Sequence, residues 1–124
     1  MKRLLILDDD QHMHDLYRDL FSRKKGEYEL VMTYDVQEAI DRLNDTDFDL
    51  VIMDIIMQPL SGEYLFLKIR EDEKVKNNQV PIIVVTVLNE ENLEILKRTS
   101  NTFIFQKPFN SKDLLKKIEE LLRS

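Results

Sequence analysis

The chain has 124 residues, which is the size of a single domain with one hydrophobic core. Its net charge of -6 argues against non-specific binding to nucleic acids or anionic membranes, and the absence of cysteine excludes disulfides, thiolate metal sites and cysteine nucleophiles. Aspartates follow the N-terminus too soon for a signal peptide and no apolar run is long enough to span a membrane, so we expect a cytoplasmic protein with no membrane insertion and no direct nucleic acid binding.

Five short apolar runs predict β-strands, and stretches with helical periodicity lie between them. In chain order the runs are Leu4–Leu7, Tyr28–Met32, Leu50–Met53, Ile82–Val87 and Phe103–Phe105. The first, third and fourth runs contain almost only apolar residues, as do strands that are covered on both faces of a parallel sheet.

The helices are predicted from amphipathic patterns and capping residues. Asp35 and Glu38 form a capping-box-like start for the helix after the second strand, and Asn110 or Ser111 is the expected N-cap of the last helix. Residues 70–79 read as a helix end followed by a loop. The apolar faces of the first, second and last helices consist of Met13, Leu16, Tyr17, Leu20 and Phe21, of Val36, Ala39, Ile40 and Leu43, and of Leu114, Leu115, Ile118, Leu121 and Leu122.

This alternation of strand and helix, repeated five times, predicts an α/β fold in which a parallel sheet lies between layers of helices. Right-handed crossovers leave few topologies for such a chain. Ligands of open α/β sheets bind in the crevice beyond the carboxyl ends of the strands. The residues at those ends are therefore the candidates for function.

Polar residues of a few chemical types follow four of the predicted strands. They are Asp8, Asp9 and Asp10, then Asp54, Thr86 and Lys107. Carboxylates that lie close together repel each other unless a cation intervenes, and an all-oxygen ligand set suits Mg2+ or Mn2+. A metal-bound aspartate beside a hydroxyl and a lysine suits phosphoryl transfer. The cation and Lys107 would neutralise charge on the phosphoryl oxygens, Thr86 would donate a hydrogen bond to the phosphoryl group, and Asp54 would be the nucleophile.

Each of these residues also has a simpler interpretation. An aspartate after a strand often caps a helix or lies in a solvated loop, Thr86 suits a strand because it is β-branched, and Lys107 before a proline is often a solvated lysine. The combination of these groups at the ends of four strands is what indicates phosphoryl transfer.

His12 and His14 lie two residues apart in the first predicted helix. That spacing turns them toward different sides of the helix, so we do not expect them to bind a metal ion. We predict that both are surface residues.

The segments LLILDDD, FDLVIMDIIMQPLSG, VPIIVVT and FIFQKPF, in this order and spacing, resemble the receiver domains of response regulators in two-component signalling. The resemblance covers essentially the whole chain. It implies a flavodoxin-like, doubly wound five-stranded parallel sheet with strand order 2-1-3-4-5 and five helices, and one receiver domain over residues 1–124.

The resemblance implies that Asp54 is the phosphoacceptor, that Thr86 turns toward the phosphoryl group and that Lys107 pairs with it. The bond between Lys107 and Pro108 is often cis in this family. The Mg2+ ligands that the resemblance implies, with Mn2+ as an alternative ion, are Asp8 (largely through water), Asp9, Asp54 and the main-chain carbonyl of Ile56.

The resemblance also implies partners. The phosphoryl donor would be a sensor histidine kinase or a phosphotransfer protein, and the phosphorylated form would act on a downstream target protein or output domain. Such a chain is a phosphoacceptor signalling domain, which catalyses its own phosphorylation and dephosphorylation, and not an enzyme with a separate substrate.

The chain departs from the family pattern near the expected site. After Asp54 the usual proline is shifted by one position, with Gln58 in its place and Pro59 next, while Gly62 keeps its place. Val87 stands after Thr86 where the family usually has Ala or Gly, and Ile104 stands three residues before Lys107 where it usually has an aromatic residue. Ser100-Asn101 replaces the Gly-Ala that commonly ends the fourth helix. Asn101 can still take the left-handed conformation that ends a helix. In this family the residues two positions after the phosphoacceptor and the hydroxyl flank the hydrolytic water; here they are Ile56 and Leu88, which predicts slow dephosphorylation.

Two alternatives remain open from the residues. A receiver-like module that binds partners without phosphorylation is suggested by Val87 and Ile104. A haloacid-dehalogenase-type phosphatase would use Asp8 as its nucleophile and Asp10 as its acid, but it usually has a second acidic pair after a late strand, where this chain has Thr86 and Lys107.

Overall fold

The chain folds into a parallel β-sheet with helices on both faces, as seen in a computed structural model that describes residues 1–24, 26–56, 62–71, 76–87, 96 and 99–123. The strands are β1 (Lys2–Leu7), β2 (Tyr28–Thr33), β3 (Leu50–Met53), β4 (Ile82–Thr86) and β5 (Thr102–Gln106). The helices within the described residues are α1 (Gln11–Leu20), α2 (Val36–Asp45), α3 (Gly62–Glu71) and α4 (Ser111–Leu122), with short 3-10 turns at Ser22–Lys24 and Lys76–Gln79.

The strand order is β2-β1-β3-β4-β5, which confirms the predicted flavodoxin-like fold. All residues of β3 and β4 are buried, because helices cover both faces of the sheet. Successive side chains of β1 point to opposite faces: Leu5 and Leu7 pack with α2 and α3, whereas Leu4 and Ile6 pack with α1 and α4. The two cores lie on either side of one sheet.

The predicted boundaries need small corrections. β1 begins earlier than predicted, at Lys2, because Lys2 and Arg3 already pair with the first residues of β2. β4 ends at Thr86, and Val87 lies outside it with 60% of its surface exposed. The predicted helix between β4 and β5, the fourth of five along the chain, falls in residues 88–98, which lie outside the described residues except for Leu96, a buried core residue.

The capping predictions are confirmed. The carboxylate of Asp35 accepts a hydrogen bond of 2.8 Å from the N–H of Glu38, and Asn110 accepts bonds from two N–H groups in the first turn of α4. Asn101 has a φ of 57°, the left-handed conformation expected before β5.

Arg70 links two loops at the amino ends of β4 and β5. Its guanidinium donates to the carbonyls of Asn78 and Val80 at 2.8 and 2.7 Å, and to the carbonyl of Asn101 at 3.0 Å. Burial lowers the pKa of Arg70 from its ordinary value. The sequence pattern assigned residues 70–79 to a helix end and loop, and it gave no sign of this contact.

Gly62, the first residue of α3, packs directly on the main chain that carries Asp54. Its N–H donates to the carbonyl of Ile55 at 3.1 Å. A Cβ atom on Gly62 would lie 2.7 Å from the Cα of Ile55 and would clash with the carbonyl oxygen of Asp54. Only glycine allows α3 to approach the candidate phosphoacceptor this closely.

We therefore expect Gly62→Ala to lower the free energy of unfolding by about 3 kcal/mol or more, because main-chain atoms on both sides must move apart. Gly26→Ala is the matched control: Gly26 has a φ of +85°, but no atom lies within 4 Å of the place that its Cβ would take, so its cost should be only about 1–2 kcal/mol of backbone strain. Urea denaturation measures both variants. An equal or smaller loss for Gly62→Ala would contradict the close approach.

Candidate functional site

The candidate site lies beyond the carboxyl ends of the central strands. Leu7 and Met53 are register partners, and the N–H of Asp54 donates to the carbonyl of Leu7 at 3.0 Å. The next residues along the two strands, Asp8 and Asp54, therefore emerge side by side. Both are buried, with 1% and 7% of their surfaces exposed.

Lys107 bridges these two carboxylates. Its Nζ lies 2.8 Å from Oδ2 of Asp54 and 3.3 Å from Oδ2 of Asp8. The N–H of Lys107 donates to the carbonyl of Thr86 at 2.7 Å, and the bond between Lys107 and Pro108 is cis. Burial alone would lower the pKa of Lys107, but the hydrogen bond to Asp54 and the charges of both carboxylates outweigh it, so that the pKa is raised.

Asp8 is the most strongly desolvated carboxylate of the site. Burial raises its pKa from the ordinary value, and the negative charge of Asp54 adds to this effect. The N–H of Asp10, which donates to Oδ1 of Asp8 at 2.9 Å, and the ammonium of Lys107 act in the opposite direction. The site therefore favours additional positive charge.

The carboxylate of Asp54 is held at both oxygens. Oδ1 accepts a hydrogen bond of 3.0 Å from the N–H of Ile56, and Oδ2 contacts Lys107. Thr86 ends β4 as a fully buried residue. The structure thus places Lys107 in direct contact with both Asp8 and Asp54, and the main chain links Lys107 to Thr86.

The other predicted metal ligands lie at the surface of the site. Asp9 is exposed next to Asp8, and Ile56 is 45% exposed. Across the described ranges, no three carboxylate or imidazole side chains form a preformed metal cage. The donor set nevertheless fits a hard cation, because it consists of carboxylate and carbonyl oxygens and contains a buried carboxylate that favours added positive charge.

The prediction that His14 is a surface residue is wrong, whereas His12 is exposed as expected. His14 is fully buried, and its Nε2 lies 2.7 Å from the carbonyl oxygen of Asp8. A usable signal was present in the sequence: His14 precedes Tyr17 by three residues and Phe21 by seven, the spacing of one helix face.

One side of the rim of the site is apolar. Ile56 and Val87 are exposed beside it, and an open groove of about 370 Å³ adjoins Lys107. The groove is lined by Met13, Leu16, Val87, Lys107, Pro108, Phe109 and Ser111. Ile104 is partly buried against the core. Gln58, Pro59 and Leu88, which stood out in the sequence, lie outside the described residues.

Among the described residues, no helix combines the length and apolar character that crossing a membrane requires.

Residues 4–119 match the family model of the response regulator receiver domain. The chain is 28% identical over 123 residues to the regulatory protein VanRB of Enterococcus faecalis, covering 98% of this chain and 52% of VanRB. It is also 28% identical over 120 residues to hybrid signal transduction histidine kinase D of Dictyostelium discoideum, covering 96% of this chain and 7% of the kinase. The chain therefore spans about half or less of these relatives.

Among solved structures, the chain resembles the response regulator TrrA of Thermotoga maritima in complex with Mg2+-BeF. The TM-score is 0.81 at 27% identity, and the alignment covers 98% of this chain and 100% of TrrA. The sheet order, the cluster of Asp8, Asp54 and Lys107, and the family match over residues 4–119 lead to one conclusion: the chain belongs to the response regulator receiver domains of two-component signal transduction.

Proposed function

We propose that residues 1–124 act as one receiver unit, in which Asp54 accepts a phosphoryl group from a phosphohistidine of a sensor histidine kinase or phosphotransfer protein. The reaction depends on Mg2+, and the modified domain switches a surface that binds a target. The observation that carries this proposal is the position of Lys107, which contacts the buried Asp54 and Asp8 at once.

In the proposed reaction, a carboxylate oxygen of Asp54 bonds to phosphorus as the phosphorus–nitrogen bond of the donor breaks, and the imidazole nitrogen keeps the bonding electrons. The ammonium of Lys107 is already 2.8 Å from Asp54, so it is placed to offset charge on the transferred oxygens without reorganisation. Thr86, at the end of β4, would donate its hydroxyl to the same group.

We propose that Asp8, Asp9, Asp54 and the carbonyl of Ile56 hold the Mg2+. When bound, the cation supplies charge neutralisation for the phosphoryl oxygens. The proposed ligand set contains three carboxylates, whereas Lys107 is the one ammonium that contacts Asp8 and Asp54 among the described residues. TrrA, the related structure, is a complex with Mg2+-BeF, which supports a Mg2+ site in this chain. Mn2+ would satisfy the same oxygen donors.

The donor protein must bring its phosphohistidine to Asp54, and the apolar groove beside Lys107 is the surface next to that point. Met13 and Leu16 of α1 and Phe109 before α4 line it. Apolar lining around a charged centre suits a protein partner. We propose this groove as the docking surface for the donor, and a downstream target protein or output domain as the reader of the modified state.

The second candidate is a receiver-like module that binds partners without phosphorylation, which the exposed Val87 beside the site favours. Two buried carboxylates with a shared lysine carry a large desolvation cost, which a purely structural module has no reason to retain. This cost favours the phosphoacceptor. The phosphatase of the haloacid-dehalogenase type is not supported, since the chain matches the receiver family.

With Mg2+ and acetyl phosphate, we expect the protein to gain one phosphoryl group in intact-mass spectra. Asp54→Asn should abolish the gain because an amide is a poor nucleophile, and Lys107→Ala should reduce it. Asp49→Asn is the matched control, since Asp49 is an exposed aspartate at the opposite end of β3. Full labelling of Asp54→Asn, or no labelling of the parent protein, would contradict the proposal.

The apolar rim predicts a long-lived phosphorylated state. Ile56 is 45% exposed and Val87 60% exposed, and neither side chain can orient an attacking water by a hydrogen bond. We expect Ile56→Asn to speed the decay of the phosphorylated protein on the order of tenfold, or about 1.4 kcal/mol of barrier. Ile56→Leu, which keeps the rim apolar, should decay as the parent does. Equal decay of the Asn and Leu variants would disprove the shielding.

A further inference from the structure

His14 contacts the end of β1 that carries Asp8 and Asp9. It is fully buried, and its Nε2 lies 2.7 Å from the carbonyl oxygen of Asp8. A carbonyl oxygen only accepts hydrogen bonds, so Nε2 must carry the proton and donate. The bond therefore fixes both the tautomer and the orientation of the ring.

The ring of His14 is held in place by an aromatic stack. Tyr34, just after β2, lies parallel to it with ring centroids 4.0 Å apart and an interplanar angle of 12°. The hydroxyl of Tyr34 donates to the side chain of Gln11 at 2.7 Å. Tyr34 thus covers the imidazole and connects the loop after β2 with the start of α1.

Burying the second ring nitrogen of His14, Nδ1, has an unfavourable free energy. Nδ1 is buried and has no hydrogen-bond partner within the described part of the chain. A buried polar atom without a partner costs about 1–3 kcal/mol, so an apolar side chain would fill this place more favourably. The ring's polar contact with Asp8 is the feature that an apolar residue could not supply.

The hydrogen bond from His14 to the Asp8 carbonyl fixes the orientation of the peptide between Asp8 and Asp9. A peptide unit is planar, so the carbonyl oxygen of Asp8 and the Cα of Asp9 move together. The N–H of Asp8 is also fixed, through a 3.2 Å bond to the carbonyl of Thr33. His14 and Thr33 together set the direction in which Asp9 leaves β1.

We propose that His14 is a positioning residue for the divalent cation: its bond to the Asp8 carbonyl, held by the stacked ring of Tyr34, orients the Asp8–Asp9 peptide so that Asp9 can bind the ion. This inference rests on the proposed Mg2+ site. Hydrogen bonds to the groups behind metal ligands commonly tune affinity in this way.

The test is Mg2+ binding by isothermal titration calorimetry. His14→Leu should raise the dissociation constant on the order of tenfold, whereas His14→Gln, whose amide nitrogen reaches the place of Nε2, should stay within about threefold of the parent. Phosphorylation by acetyl phosphate should need correspondingly more Mg2+ for half-saturation but reach the same maximal rate. His12→Leu, an exposed histidine of the same helix, should change neither quantity.

The outcomes separate the two proposals. If the parent protein does not bind Mg2+, the proposed function fails. If the parent binds Mg2+ and a folded His14→Leu binds it equally well, only the role of His14 is overturned. Should His14→Leu fail to fold, a comparison of His14→Gln with His14→Asn decides. The shorter Asn places its amide near Nδ1, where it cannot reach the Asp8 carbonyl, so this variant should bind Mg2+ more weakly than His14→Gln. Equal Mg2+ affinity in these two variants would overturn the proposal.

The tautomer gives a readout that needs no metal. Nitrogen-15 spectra of the histidine rings should show the His14 proton on Nε2, exchanging slowly with solvent because the ring is buried. A His14 proton found on Nδ1 would also overturn the proposal.

Discussion

The structure depends on one ion cluster, in which a single ammonium neutralises two carboxylates that the fold has removed from water. The strand order places β1 beside β3, so the residues that follow them, Asp8 and Asp54, lie side by side. Without Lys107 they would be buried like charges, and breaking a buried ion pair by removing one partner typically costs about 3–5 kcal/mol. Lys107 reaches them only because β5 lies next to β4 and ends at the same edge.

The main chain around this cluster is held from several directions. Gly62 packs on the backbone of Asp54 from α3, and the N–H of Ile56 binds the carboxylate itself. On the other strand, Asp8 bonds to Thr33 through its N–H and to His14 through its carbonyl. The charged groups are thus preorganised by backbone contacts, a condition under which electrostatic stabilisation costs no reorganisation during a reaction. The part of the rim formed by Ile56 and Val87, by contrast, is exposed and apolar.

The sequence predicted most of the sheet because its signals are local. Continuous apolar runs marked β3 and β4, and short-range capping marked the starts at Asp35 and Asn110. The cluster of Asp8, Asp54 and Lys107 was also foreseeable, since parallel strands carry their final residues to one edge.

The features that sequence reasoning missed depend on contacts between distant residues. A histidine in an amphipathic helix reads as polar, and only its proximity to Asp8 and Tyr34 explains why His14 is buried. The contacts of Arg70 with Val80 and Asn101 leave no periodic signature either. Strand boundaries shifted by one or two residues for a similar reason, because pairing with a neighbouring strand extended β1 to Lys2.

Arg70 contacts the opposite ends of the two strands that lead to Thr86 and Lys107. Its guanidinium binds the loops at the amino ends of β4 and β5, far along the strands from the ion cluster. One residue of α3 therefore fixes the entry points of both strands into the sheet, so a substitution of Arg70 would act on β4 and β5 without touching the ion cluster at their carboxyl ends.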